Sequence, residues 1–328
     1  MTAKRILMTA LVCAFAATGA RAADTRTLGV STFPNAKALP LWAGDESGIF
    51  ERFGLKLTID QTESSTAQRE KLVDGRIEIA QAAVDNALAL ILSGHDVIIV
   101  MGGESGMNDF IAQADVTSYA SFKGRALVVD APNTAYALQA RKLLATAGLK
   151  AGEDYQLKPI GNAGLRFKAM VEDRNNAGAV MNPPFSSEAK LKGMRSLGRL
   201  VDLLGPYQAG GAFLLRDWAK KNPEKLDSYI KAYVTSVRWT LDPANKAKAI
   251  EILMRKLNLG SAVAEAAYGQ LVEPGFGFAP DAKLDAVGFD NALATRAETE
   301  GRSAKLDDKT KYIDETFYQR ALSQLPPK

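Results

Sequence analysis

Apolar and polar positions alternate between two periods along the first two thirds of the chain. Residues 27–31 form a short apolar run that reads as a strand. Phe33-Pro34-Asn35 interrupts it, and residues 38–45 follow as a helix that Gly48 stops. Leu55, Leu57 and Ile59 alternate with polar neighbours, so residues 55–60 read as a second strand. Ser65-Thr66-Ala67-Gln68 has capping-box spacing and opens a helix ending near Gly75. A third strand is expected at 77–82, a helix at 86–93 behind Asp85 as its N-cap, and a fourth strand at 97–101.

A second block starting near Ser118 repeats this grammar, with strands at 126–130, 156–160, 177–181 and 196–201. Its helices span 135–147, capped by Asn133 or Thr134, and 165–173. Strands cease after the run 212–215. Beyond Asn222-Pro223 the pattern turns helical, at 223–241, 243–257, 261–271, 283–299 and 311–322, with prolines starting the first two. Alternating strands and helices predict an α/β fold with parallel sheets, and the two similar blocks predict two lobes followed by a helical C-terminal region.

The N-terminus changes the meaning of the composition. Lys4 and Arg5 precede an apolar run at 6–17, and Ala20-Arg21-Ala22 supplies a small-residue cleavage site, so residues 1–22 read as a secretory signal peptide. The apolar run is shorter than the roughly 20 residues that span a bilayer. Lys4, Arg5 and Arg21 belong to the leader, so most of the excess of 41 bases over 37 acids disappears on cleavage. The nearly neutral mature chain gives no reason to invoke nucleic acid or an anionic membrane. Its one cysteine, Cys13, also goes with the leader, so an exported chain must rely on core burial and not on disulfides. A single histidine, His95, rules out a histidine metal cluster and reads as a solvated turn residue.

Several motifs together resemble a known family. Pro40-Leu41-Trp42-Ala43 followed by Gly48-Ile49-Phe50-Glu51-Arg52-Phe53-Gly54-Leu55 resembles a signature of solute-binding proteins of ABC importers, in the group handling nitrate, sulfonates, taurine and thiamine-pyrimidine precursors. Leu72-Val73-Asp74-Gly75-Arg76-Ile77-Glu78-Ile79-Ala80, Phe122-Lys123-Gly124-Arg125, the stretch 166–183 and Lys311-Tyr312-Ile313-Asp314 resemble further elements in the same order. The resemblance implies a type II periplasmic binding fold, with lobe I at 23–114 and 207–328, lobe II at 115–206, and crossovers near 112–117 and 204–210. It also implies a periplasmic monomer that needs no cofactor and hands its solute to permease and ATPase subunits.

In such a fold the ligand lies where strands end and helices begin. The first lobe then offers Phe33, Pro34, Asn35, Gln61, Ser64, Val84, Asp85, Gly103 and Met107. The second offers Asn133, Thr134, Asn162, Arg166, Asn182 and Pro183. Backbone N–H groups at Asn35, Asn86 and Thr134 are expected to make the cleft receptive to an anion. Asp85 reads as a cap or as a partner for a ligand amine, and Arg166 as a solvated arginine or as a bidentate clamp for a carboxylate or sulfonate. Phe33, Phe185 and Tyr207 could sandwich a planar ligand, whereas Trp42 reads as core.

The expectation is therefore a receptor for a small organic anion, not an enzyme and without metal. Two alternatives stay open, an enzyme on the same fold related to thiamine-pyrimidine synthesis and a ligand-sensing periplasmic receptor. Chemistry of the first kind depends on histidine and cysteine residues that the mature chain scarcely has.

Overall fold

The computed structural model describes residues 26–301 and 308–327. The expected leader lies outside them. The described strands form two five-stranded sheets built on one plan. In the first, β1 (Arg26–Thr32) lies between β2 (Leu55–Gln61) and β3 (Ile79–Ala83), all parallel, and β4 (Val97–Met101) stands at the far edge. In the second, β5 (Asp109–Ala112) runs antiparallel to both β8 (Asn176–Met181) and β9 (Arg195–Arg199). The strands β6 (Ala126–Val129) and β7 (Gln156–Pro159) extend that sheet in parallel beyond β8. Finally β10 (Gly210–Leu215) returns to the first sheet and inserts antiparallel between β3 and β4.

The orders β2-β1-β3-β10-β4 and β7-β6-β8-β5-β9 match position for position. In each sheet the strand that enters from the other sheet is the antiparallel one. This corrects the first crossover: β5 already belongs to the second sheet, so the chain crosses at residues 102–108 and not at 112–117. Asp109-Phe110-Ile111-Ala112 is buried along its whole length and too short to alternate, so period-two patterning could not reveal it. The return crossing spans residues 200–209 and contains an unexpected short helix, Leu200–Leu204.

The C-terminal helices pack on the first sheet. The helix Pro223–Leu241, with proline in its first turn, lies against Leu39–Glu46. Gly44 permits the close approach, because a Cβ there would stand 2.1 Å from Ser236 Oγ and 2.6 Å from the Phe50 ring. Trp42, Phe50, Tyr229 and Tyr233 fill the core beneath. Helix Ala286–Thr299 starts three residues later than expected because the Asp285 carboxylate caps Val287 and Gly288 N–H. The last helix is Thr316–Ser323, not 311–322. Residues 312–314 instead pair with Ile99 through Ile99 N–H to Tyr312 O (2.8 Å) and Asp314 N–H to Ile99 O (2.9 Å), which covers the edge of β4.

Candidate solute-binding cleft

The carboxyl ends of β1, β3, β6 and β8 face one another across a cleft lined by residues of both sheets' ends. Hydrogen bonds among the described residues already cross it. Ala36 N–H reaches Pro183 O (3.0 Å), Asn162 N–H reaches Glu63 O (2.8 Å), Ser65 N–H reaches the Asp130 carboxylate (3.0 Å) and Lys37 Nζ reaches the Tyr136 hydroxyl (3.3 Å).

Of the residues read from the sequence, Phe33, Asn35, Gly103, Thr134, Asn162, Arg166 and Asn182 line this space. The others are placed elsewhere. Val84 and Met107 are sealed in the core, and Gln61 is exposed. Ser64 caps the helix Ser65–Val73, leaving its neighbour Ser65 to face the cleft. Pro34 and Asn133 lie outside the lining, while Pro183 contributes its carbonyl to the crossing bond with Ala36. Asp85 is neither a side-chain cap nor a free ligand group: it is fully buried in an ion pair with Arg296, whose Nε donates to its Oδ1 at 2.8 Å.

Two expected anion-binding N–H groups are also spent, Asn35 N–H on Phe33 O (2.8 Å) and Thr134 N–H on Ala131 O (3.3 Å). The open ones are further along. The helix Ala135–Thr146 has no side-chain cap, and Ala135 and Tyr136, in its first turn, line the cleft. Phe185 stacks obliquely on Phe167 and Tyr207 is buried outside the cleft, so the aromatic walls are Phe33, Tyr136, Tyr233 and Phe278.

The sequence reading missed the main charged pair. Asn35 Oδ1 accepts from Lys37 N–H (3.0 Å), which starts the turn Ala36–Ala38 and aims Lys37 inward. Its ammonium donates to Glu104 Oε1 (2.7 Å), Asn108 Oδ1 (3.1 Å) and the Tyr136 hydroxyl. Burial alone would lower the Lys37 pKa, but Glu104 and Tyr136 outweigh it and hold it above its ordinary value. Glu104 Oε2 in turn accepts Gly106 N–H (3.0 Å) and Met107 N–H (3.2 Å), so this carboxylate folds the first crossover around itself. Gln81, also missed, bridges the Tyr229 hydroxyl (3.1 Å) and the Tyr233 hydroxyl (3.0 Å).

Arg166 stands differently. Its guanidinium is buried and donates to two carbonyl oxygens, those of Gly161 and Val180 (3.1 Å), with no carboxylate bonded to it. Burial lowers its pKa, and nearby Asp130 and Tyr136 offset part of that without bonding to it. Asn182, nine-tenths buried or more on the same wall, has an Oδ1 without any partner. The cleft therefore combines a guanidinium bonded to carbonyl oxygens, the nearby Asp130, an unused amide oxygen and apolar walls.

A family model for the NMT1-like family matches residues 21–254. The chain belongs to the NMT1-like family. Solved structures place this member's architecture among periplasmic binding proteins. The periplasmic nitrate-binding protein NrtA from Synechocystis PCC 6803 is similar at 15% identity and a TM-score of 0.74, over 91% of this chain and 89% of its own. The alkanesulfonate-binding protein SsuA from Xanthomonas axonopodis pv. citri, bound to MOPS, is similar at 18% identity and 0.68, over 90% and 97%. A desulfurization enzyme, DSZB, shares the fold at 15% identity and 0.60, over 90% and 99%. No curated protein matches the chain in sequence. The NMT1-like chain thus has the periplasmic-binding fold expected from its motifs.

Proposed function

We propose that this member of the NMT1-like family is a periplasmic receptor that closes two lobes over a small organic anion and delivers it to an ABC permease. The lobes would divide at the crossings 102–108 and 200–209, and residues 1–22 would direct export. The observation that carries the reading is Arg166, a buried guanidinium on the cleft wall that is bonded only to carbonyl oxygens. An acid brought to that position adds a directly bonded counter-charge, and an Arg–carboxylate or Arg–sulfonate fork gives two parallel bonds. Phe33, Tyr136, Tyr233 and Phe278 favour an apolar body behind the acid over a bare inorganic ion. The protonable groups of the cleft are held in structural bonds, Lys37 with Glu104 and Asp130 with Ser65, which favours holding a solute over transferring protons to it.

A thermal-shift panel of aliphatic sulfonates, aromatic carboxylates, nitrate and aminopyrimidines tests the reading. A bound organic acid at 100 times its Kd stabilises the fold by about 2.7 kcal/mol. Arg166→Lys, which keeps the charge but loses the fork, abolishes that shift. A shift produced by aminopyrimidines alone, or one that Arg166→Lys leaves intact, refutes the anion assignment.

A further inference from the structure

Arg296 lies outside the solute cleft, on the helix Ala286–Thr299 that packs against the first lobe through Phe289, Ala292 and Leu293. Both Arg296 and Asp85 are 1% exposed. The guanidinium grips Asp85 with Nε and Nη2, and the same Nη2 also donates to Asn133 O at 2.6 Å. Asn133 belongs to the second lobe, immediately before the helix Ala135–Thr146 whose first turn lines the cleft.

Lys37 repeats the arrangement inside the cleft. It too is a first-lobe cation neutralised by a carboxylate, here Glu104 of the first crossover, and it spends a remaining N–H on the second lobe, at the Tyr136 hydroxyl. The two second-lobe acceptors are three residues apart, on either side of one helix start. That helix touches Ala286–Thr299, but the apolar residues of the two belong to separate clusters. A solvent-open recess lined by Gln139, Tyr207 and Asn291 among others lies beside the contact, and an exposed pair, Lys142 with Glu298 (2.9 Å), ties the two helices. Directed bonds thus tie two elements whose apolar residues pack in separate clusters.

We propose that Arg296 is a positioning residue for closure: neutralised by Asp85, it latches the second lobe through Asn133 O and so fixes the cleft-facing start of helix Ala135–Thr146. Asp85 makes the latch possible, with the less buried Glu300 as a second partner 3.4 Å from Nη1, since an unneutralised guanidinium could not stay buried there. Because Arg296 is remote from the solute, its bond forms or breaks with closure alone. Lys37 lines the solute space, so its bond to Tyr136 is the one a solute can reach. The inference rests on the two-lobed closing receptor proposed above, and not on which solute it takes.

Spin labels at Glu70→Cys and Lys168→Cys, exposed positions on opposite lobes, report the interlobe distance in the solute-free full chain carrying Cys13→Ser. Losing a hydrogen bond from a charged donor raises the ratio of open to closed protein by about tenfold. Arg296→Gln alone leaves Asp85 buried and unpaired and is expected to unfold in part. The double variant Asp85→Asn/Arg296→Gln removes both charges and still loses the latch, with Asp85→Leu/Arg296→Met as an apolar equivalent. Cooperative melting together with a longer distance in either double variant supports the latch. Cooperative melting with the wild-type distance distribution in both overturns it. No solute enters this experiment, so failure of every panel compound to bind would refute the anion assignment and leave the latch to be judged on distance alone.

Discussion

Replacing Glu104 by Gln tests whether the buried pair with Lys37 organises the hinge side of the cleft. The side-chain exposures are 13% for Lys37 and 3% for Glu104, and their atoms approach to 2.7 Å. Glutamine keeps the volume and retains an oxygen for Gly106 and Met107 N–H, so the loss is confined to the charge facing Lys37. Leaving one member of a buried pair alone costs about 3 to 5 kcal/mol, and the partial exposure of Lys37 places Glu104→Gln near the lower end. Lys37→Met/Glu104→Gln removes both charges and should lose only about 1 kcal/mol, because no ion is left desolvated. Urea unfolding followed by circular dichroism on the two single variants and the double gives the coupling directly. A Glu104→Gln loss below about 0.5 kcal/mol, or a double variant no better than the worse single, would refute the buried pair.

Three other outcomes follow from separate features. Asn182→Leu removes the buried Oδ1 that has no partner, so stability should rise by about 1 kcal/mol while solute affinity falls, and a destabilised variant would show that the oxygen is satisfied. Gly44→Ala should cost about 1 to 3 kcal/mol by forcing apart the helices Leu39–Glu46 and Pro223–Leu241, and an unchanged urea midpoint would contradict that close approach. Burial pushes the Tyr318 hydroxyl up to about 12 and those of Tyr207 and Tyr229 well above the ordinary value, so the folded chain holds these protons more tightly than the unfolded one. The Tyr318 contribution is complete below pH ~10, the unfolded value, and is lost as pH rises through its folded value of about 12. A urea midpoint that stays flat across this window would contradict it.

The periodic parts of the molecule were legible. Strand 97–101 and helix 223–241 coincide with the structure, because an unbroken apolar run and a proline-started amphipathic stretch carry their own boundaries. By contrast β5 was hidden, since its four residues are buried on all sides among glycines and show no period. The cleft was found by asking where strands end, a topological rule that needs no side-chain detail, and it placed Phe33, Thr134, Arg166 and Asn182 on the wall. The polar pairing could not be found in that way. Asp85 looked available because its partner is Arg296, 211 residues away, and no local pattern joins them. Lys37 drew no reading at all, because nothing in its local pattern sets an inward-turned cation apart from a solvated one. The one clue was Glu104, a lone acid within Gly102-Gly103-Glu104-Ser105-Gly106, where a carboxylate without nearby bases needs a distant partner.

The central claim is that Arg166 receives the acid group of a small organic solute inside the closed cleft. A crystal structure of the protein with a compound selected by the thermal-shift panel measures this most directly. The account predicts an acid oxygen within hydrogen-bonding distance of the Arg166 guanidinium and the solute body between Phe33 and Phe278. A solute seated in the cleft with its acid turned away, and Arg166 still bonded only to the carbonyls of Gly161 and Val180, would contradict it.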